Sequence, residues 1–209
     1  MIGLVFALMF AADWTGLIPA IEQAVPRMEI QKAGQGGVCS AVVFEVDKDG
    51  FAHAISAAHC YDRQPNERID VTANGRNAVV IHTNTIIDLA ILRFRARGEI
   101  AVPLAAKSPT AGAEVVIAGF AFGIEKMAVQ FGRVSQALNS ETKAMLVDGM
   151  IVFGDSGGPV LSETGELVGI NSRVYFGGMG GQAAHLAGIV PIEAVRDFLD
   201  DFRDRQRKR

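Results

Sequence analysis

The chain has 209 residues, 49% of them hydrophobic and 21% charged, which excludes disordered, fibrous and collagen-like classes and fits a globular protein of one domain or two small ones. Its net charge of −3 offers no basic field for nucleic acid, which disfavours that partner class.

Along the chain, Met1–Ala12 is apolar apart from Gly3. It falls short of the ~20 apolar residues a spanning helix needs, and it lacks the Lys or Arg that opens a signal peptide. Residues 1–33 are therefore set apart as a leader, a short anchor or a segment packed on the fold, with residues 1–20 offering no more than weak membrane association. From residue 34 to 209 the pattern is short β segments separated by turns. Val38–Val46 is β-branched and apolar, Asp47-Lys48-Asp49-Gly50 turns the chain, and Phe51–Ala58 returns it. Ile69–Ala73 and Asn77–Ile81 flank Asn74-Gly75, a hairpin dipeptide because both residues accept positive φ. Leu89–Phe94, Val115–Ala118, Val129–Val134, Leu146–Val152, Val160–Leu161, Leu167–Ser172 and Leu186–Val190 complete the strands, and Gly177–Gly181 reads as a flexible loop. Many short strands with Gly-rich turns imply a barrel or sandwich. One helix closes the chain at 192–205: Ile192, Val195, Phe198, Leu199 and Phe202 share a face, and Pro191 sits near its start. The charge cluster Arg203–Arg209 reads as its solvated end.

Three segments carry chemistry. In Ser56-Ala57-Ala58-His59-Cys60 small residues leave the imidazole of His59 room to face a cleft. Asp88 opens the apolar run Leu89–Leu92, where burying a carboxylate demands a hydrogen-bond partner such as His59. Gly154-Asp155-Ser156-Gly157-Gly158-Pro159 sets one serine among three glycines. Serine becomes a nucleophile only when a base takes its proton. The N–H groups of Gly154 and Ser156 are then candidates to bind an oxyanion. His53, His59, His82, His185, Cys39 and Cys60 show no metal-ligand spacing, and no cofactor cradle is visible, so neither metal nor cofactor is expected.

Taken together and in this order, the motifs around His59, Asp88 and Ser156 resemble the trypsin/chymotrypsin-type serine protease family, over roughly residues 36 to 202. The resemblance implies an all-β fold of two six-stranded antiparallel Greek-key barrels, about 34–105 and 110–191, with the active site between them and a C-terminal α-helix. It implies that Ser156 attacks, His59 transfers the proton and Asp88 orients His59, on a protein or peptide substrate. It also implies a Cys39–Cys60 disulfide, hence a secreted or periplasmic location, and a specificity pocket with Met150 as floor and Ser172, Val174 and Gly188 as walls. An apolar floor favours cleavage after apolar residues; the bland alternative for Met150 is core packing.

The chain departs from pancreatic-type members in having no Ile-Val-Gly-Gly-like start whose amine could pair with Asp155. Arg133 or Lys126 is the expected replacement, which draws the resemblance toward bacterial and periplasmic members. Larger relatives of that kind carry a peptide-binding domain after the protease; none is expected within these residues. Two other functions compete. Gly154–Gly158 also fits the nucleophile elbow of an α/β-hydrolase esterase, but that fold orders its triad Ser, acid, His and alternates strands with helices. A catalytically inactive binding module on the protease fold would usually have lost a triad residue, and none is lost here.

Overall fold

The computed structural model of the chain describes residues 14–32, 34–62, 68–138, 144–175 and 186–208, with backbone alone at 173–175. The Met1–Ala12 stretch, the Gly177–Gly181 loop and His185 lie outside the described residues. The elements run α1 (Ile18–Ala24), β1 (Arg27–Lys32), β2 (Gln35–Ser40), β3 (Val42–Val46), β4 (Phe51–Ser56), β5 (Ile69–Ala73), β6 (Arg76–Asn84) and β7 (Leu89–Arg95). They continue with β8 (Glu114–Gly119), β9 (Ala128–Gln136), β10 (Met145–Asp148), β11 (Pro159–Ser162), β12 (Leu167–Tyr175), β13 (Leu186–Pro191) and α2 (Ile192–Arg207). Among the described residues no helix is long and apolar enough to cross a membrane.

The strands form two antiparallel bodies. The second is the expected closed barrel of six strands, β10-β13-β12-β11-β8-β9. The first is a curled sheet of seven, ordered β2-β1-β5-β6-β7-β4-β3. The extra strand has a local cause. The expected strand Val38–Val46 breaks at Ala41, whose N–H turns away to the carbonyl of Pro26 (3.2 Å). Before the break β2 runs along β1, with Cys39 opposite Met28; after it β3 runs along β4, with Val42 opposite Ile55. One stretch of chain thus edges the sheet at both ends and makes it curl. The Asn74-Gly75 hairpin forms as its composition requires, with φ of 48° and 73°.

The continuous apolar run at the start of β7 has a structural reason. Leu89 and Ile91 belong to the apolar cluster of the second barrel, while Ala90, Leu92 and Phe94 belong to the cluster inside the first sheet. Successive side chains of a strand point to opposite faces, so a strand buried on both faces reads as unbroken hydrophobic sequence. The sheet's inner cluster is built largely of small residues, Ala52, Ala54, Ala73 and Ala90, around Met28, Leu92 and Phe94. β1 contributes Met28 and Ile30 to it by strict alternation. α2 buries all five residues of its predicted stripe and packs on β12 and β13. It also meets the first sheet, where the His82 ring stacks on Phe198 at 4.9 Å.

Candidate active site

Strand pairing brings His59 and Asp88 together. β4 and β7 are neighbours, with Ser56 opposite Ala90. The 3-10 turn Ala58–Tyr61 that follows β4 therefore lies beside the turn that precedes β7. Asp88 holds a left-handed φ of 59°, uncommon for a residue with a side chain. The conformation directs its carboxylate at the turn: Oδ1 accepts the backbone N–H of His59 (2.8 Å) and Oδ2 faces His59 Nδ1 (2.8 Å). An ionised carboxylate only accepts, so Nδ1 carries the proton and Nε2 is left as the basic atom. Asp88 is buried, while 48% of the His59 side chain is exposed. Ser172 on β12 reaches across from the second barrel and donates its hydroxyl to Asp88 Oδ2 (2.5 Å). Burial alone would raise the Asp88 pKa, but hydrogen bonds from the His59 ring, the Ser172 hydroxyl and the His59 N–H outweigh it and hold the pKa below the ordinary aspartate value.

Ser156 sits half-buried in the turn between β10 and β11. Its carbonyl accepts the N–H of Ser40 (2.8 Å), and the Gly157 N–H donates to Asn171 on β12 (2.8 Å). Gly157 has φ +82°, and a Cβ there would lie within 3.0 Å of Ser56 Oγ, the Ser40 carbonyl and the Ala57 N–H. Only glycine lets the serine turn rest directly on the strand end that leads to His59. Among the described residues no hydrogen bond joins the Ser156 hydroxyl to the His59 ring. Such bonds are often long before substrate binds and tighten in the complex.

Gly154 is equally constrained. At φ +100°, a Cβ would collide with the carbonyl of Phe120. The carbonyl of Phe153 accepts the Phe122 N–H (2.5 Å), and the carbonyl of Gly154 accepts the Ser40 hydroxyl (2.7 Å). Among the described residues the N–H groups of Gly154 and Ser156 donate to no protein acceptor, unlike that of Asp155, which bonds to Val152 (3.1 Å). The serine's own N–H and that of Gly154, two residues earlier, are donors of the kind an oxyanion requires.

Cys39 and Cys60 form a disulfide that ties β2 to the turn of His59. The residues assigned to the specificity pocket are less gathered. Met150 follows β10 with 56% exposure, which excludes core packing. The Ser172 hydroxyl is engaged by Asp88. Gly188 is buried on β13, opposite Leu146 of β10. The side chain of Val174 lies outside the described residues.

Asp155 departs from expectation. It is fully buried, and its Oδ2 accepts only neutral donors, the Val152 N–H (3.1 Å) and Gln130 Nε2 (3.3 Å). Its Oδ1 has no partner. Arg133 is not available, because the β8–β9 register sets it opposite Glu114, with which it pairs at the surface. Lys126 is exposed and makes no ion pair among the described residues. Burial without a cation raises the Asp155 pKa. Among the described residues no group of three His, Cys, Asp or Glu side chains is placed to hold a metal.

Four contributors carry no sequence signal: Ser40, Phe122, Gln130, and Ser172 in its role on Asp88. Each acts on a partner 25 to 114 positions away or through its backbone.

Comparison with known proteins agrees with this fold. Residues 39–170 match the model of the trypsin-like peptidase domain. The chain is 28% identical over 176 residues to serine protease HTRA4 of Mus musculus, and 28% over 177 residues to serine protease HTRA1 of Xenopus tropicalis. These alignments cover 79% and 78% of this chain, but only 35% and 36% of the relatives, so the chain spans about a third of their length. Among solved structures, the Rv3671c protease from M. tuberculosis in its active form superposes with a TM-score of 0.71 at 18% identity, over 88% of this chain and 82% of that one. The serine endoprotease from Yersinia pestis superposes with a TM-score of 0.74 at 18% identity, over 92% and 67%. At that identity the structures establish the fold.

Proposed function

The chain belongs to the trypsin-like peptidase family, and we propose that within it this protein is a serine endopeptidase working through an acyl-enzyme on Ser156. The observation that carries the reading is the 2.8 Å contact between His59 Nδ1 and Asp88 Oδ2, made next to a serine turn that only glycine at 157 allows. Nε2 of His59 takes the Ser156 proton as Oγ attacks the scissile carbonyl. The negative charge that develops on the carbonyl oxygen falls to the N–H groups of Gly154 and Ser156. The imidazolium, stabilised by Asp88, then protonates the departing amine. A water molecule activated by the same nitrogen hydrolyses the ester and restores Ser156.

The substrate is a protein or peptide. Met150, with Ser172, Val174 and Gly188, brings no charge to the pocket, which favours cleavage after apolar residues; strict cleavage after Arg or Lys in a peptide library would refute that preference. The Cys39–Cys60 bridge favours an oxidising compartment, which supports a secreted or periplasmic location.

One observation favours a second reading, an inactive binding module: the Ser156 hydroxyl is not hydrogen-bonded to His59 among the described residues. A fluorophosphonate probe separates the two. The endopeptidase is labelled at Ser156, labelling disappears in Ser156→Ala, and casein or a peptide library is cleaved only by the parent. A folded parent that neither labels nor cleaves is the inactive module.

A further inference from the structure

Ser40, the last residue of β2, grips the serine turn at two points. Its N–H donates to the carbonyl of Ser156 (2.8 Å) and its hydroxyl to the carbonyl of Gly154 (2.7 Å). The same hydroxyl oxygen accepts the Phe120 N–H (2.9 Å), which leaves its proton for Gly154. Any residue but proline at position 40 would supply the backbone bond; only a hydroxyl supplies the second.

The grip is anchored beside His59. The carbonyl of Ser40 accepts the Ser56 hydroxyl (2.7 Å), and Ser56 Oγ accepts the Tyr61 hydroxyl (2.9 Å). Tyr61 ends the 3-10 turn that contains His59, and Cys39, next to Ser40, is bridged to Cys60 in that turn. Ser40 and Ser56 are fully buried and Tyr61 is nearly so. Glycines make the room: a Cβ at Gly119 would come 3.0 Å from Ser40 Oγ, and one at Gly158 would come 3.2 Å from Ser40 Cβ.

Both peptides flanking Gly154 are thereby pinned by their carbonyls, one by Phe122 and one by Ser40. Glycine at φ +100° turns at little cost, so the direction of its free N–H depends on those anchors. Oxyanion donors work because they are already aimed and need no reorganisation during reaction. The geometry points to Ser40 as a positioning residue: its hydroxyl aims the Gly154 N–H, and its carbonyl, held by the hydroxyls of Ser56 and, behind it, Tyr61, couples that N–H to the turn that carries His59. The inference rests on the reading of Ser156 as nucleophile.

The test is Ser40→Ala, compared with the parent in peptide hydrolysis and in binding of a peptidyl boronate, whose tetrahedral adduct presents an oxygen to the two N–H groups. Deleting an oxyanion donor outright costs roughly 100- to 1,000-fold in kcat; a donor left in place but loosened should lose about 10- to 100-fold. KM should stay within about twofold, since the contact matters in the transition state rather than the ground state. Boronate affinity should weaken by the same factor as kcat/KM. Parental kcat in folded Ser40→Ala overturns the proposal, as does a kcat loss with unchanged boronate affinity. If Ser40→Ala does not fold, Ser56→Ala decides: it removes the donor that holds the Ser40 carbonyl and should show the same kcat-only loss at smaller size, whereas parental kcat overturns the proposal. A parent that no fluorophosphonate labels at Ser156 fails the underlying reading instead.

Discussion

Two aspartates, Asp88 and Asp155, are buried at the same cleft and behave in opposite ways. Asp88 meets three donors, one of them an imidazole able to carry charge, and its pKa falls below the ordinary value of 3.8. Asp155 meets two neutral donors, keeps one oxygen bare, and its pKa rises above 3.8, with burial as the main cause. The linkage signs follow. Stabilisation from Asp88 is present above pH 3.8 and is lost as pH falls through its lowered folded pKa. For Asp155 the folded state prefers the protonated acid, so its contribution is complete below pH 3.8 and is lost as pH rises through the raised folded pKa. Above pH 3.8 Asp155 therefore disfavours folding, because burial without a counter-charge opposes its ionised form. Asp155→Asn keeps an acceptor for Val152 and Gln130 while removing that charge. It should stabilise the protein at pH 7 by about 1–3 kcal/mol, and the gain should shrink as pH is lowered toward 3.8. Urea unfolding of both proteins across this range measures it; an equal loss of stability at every pH would sink the account.

The serine turn depends on how elements dock rather than on its own conformation. β4, β2 and the turn before β11 meet where Gly157 has no side chain. Gly157→Ala must move that turn off the strand end, because the atoms it meets include the backbone of Ser40 and Ala57. Together with the strain of a left-handed alanine, at about 1–3 kcal/mol, this should lower kcat/KM by at least about 100-fold through misplaced reacting atoms. Active-site titration and melting temperature of the purified variant check it; a variant with parental turnover refutes the docking argument.

The same contrast decides what could be read from sequence. The pairing of His59 with Asp88 and the turn of Ser156 were legible because their constraints are local: small residues before His59, an acid opening an apolar strand, glycines around Ser156. The hairpin at Asn74-Gly75 and the stripe of α2 were legible for the same reason. β1 was not, since its six residues offer only Met28 and Ile30 as an alternating pair. α1, at seven residues, is too short for helical periodicity to register. The break at Ala41 was hidden because it is set by Pro26, far along the chain. Asp155 misled because burial without a cation is the outcome local chemistry disfavours.

Across the whole molecule, the candidate catalytic groups are divided between two bodies that share one apolar interior. Val42, Phe44, Ile55, Leu89 and Ile91 of the first sheet lie in the same cluster as Val116, Ile117, Leu161 and Ile170 of the barrel and Phe198 and Phe202 of α2. β3, β4 and β7 of the first sheet are thus covered on both faces, and separating the halves would expose these side chains at about 1.5–3 kcal/mol each. Together these eleven side chains exceed the net stability of a typical domain, about 5–15 kcal/mol, so neither half can open while the other stays folded. Calorimetry should show one transition with matching calorimetric and van't Hoff enthalpies, near about 150 kcal/mol for a chain of this length. A covalent inhibitor seated between Ser156 and His59 should raise that single melting temperature without splitting it. Two resolved transitions, with only one moved by the inhibitor, would mean that the halves are independent and that the cleft is held by the hydrogen bonds of Ser40 and Ser172 rather than by a common core.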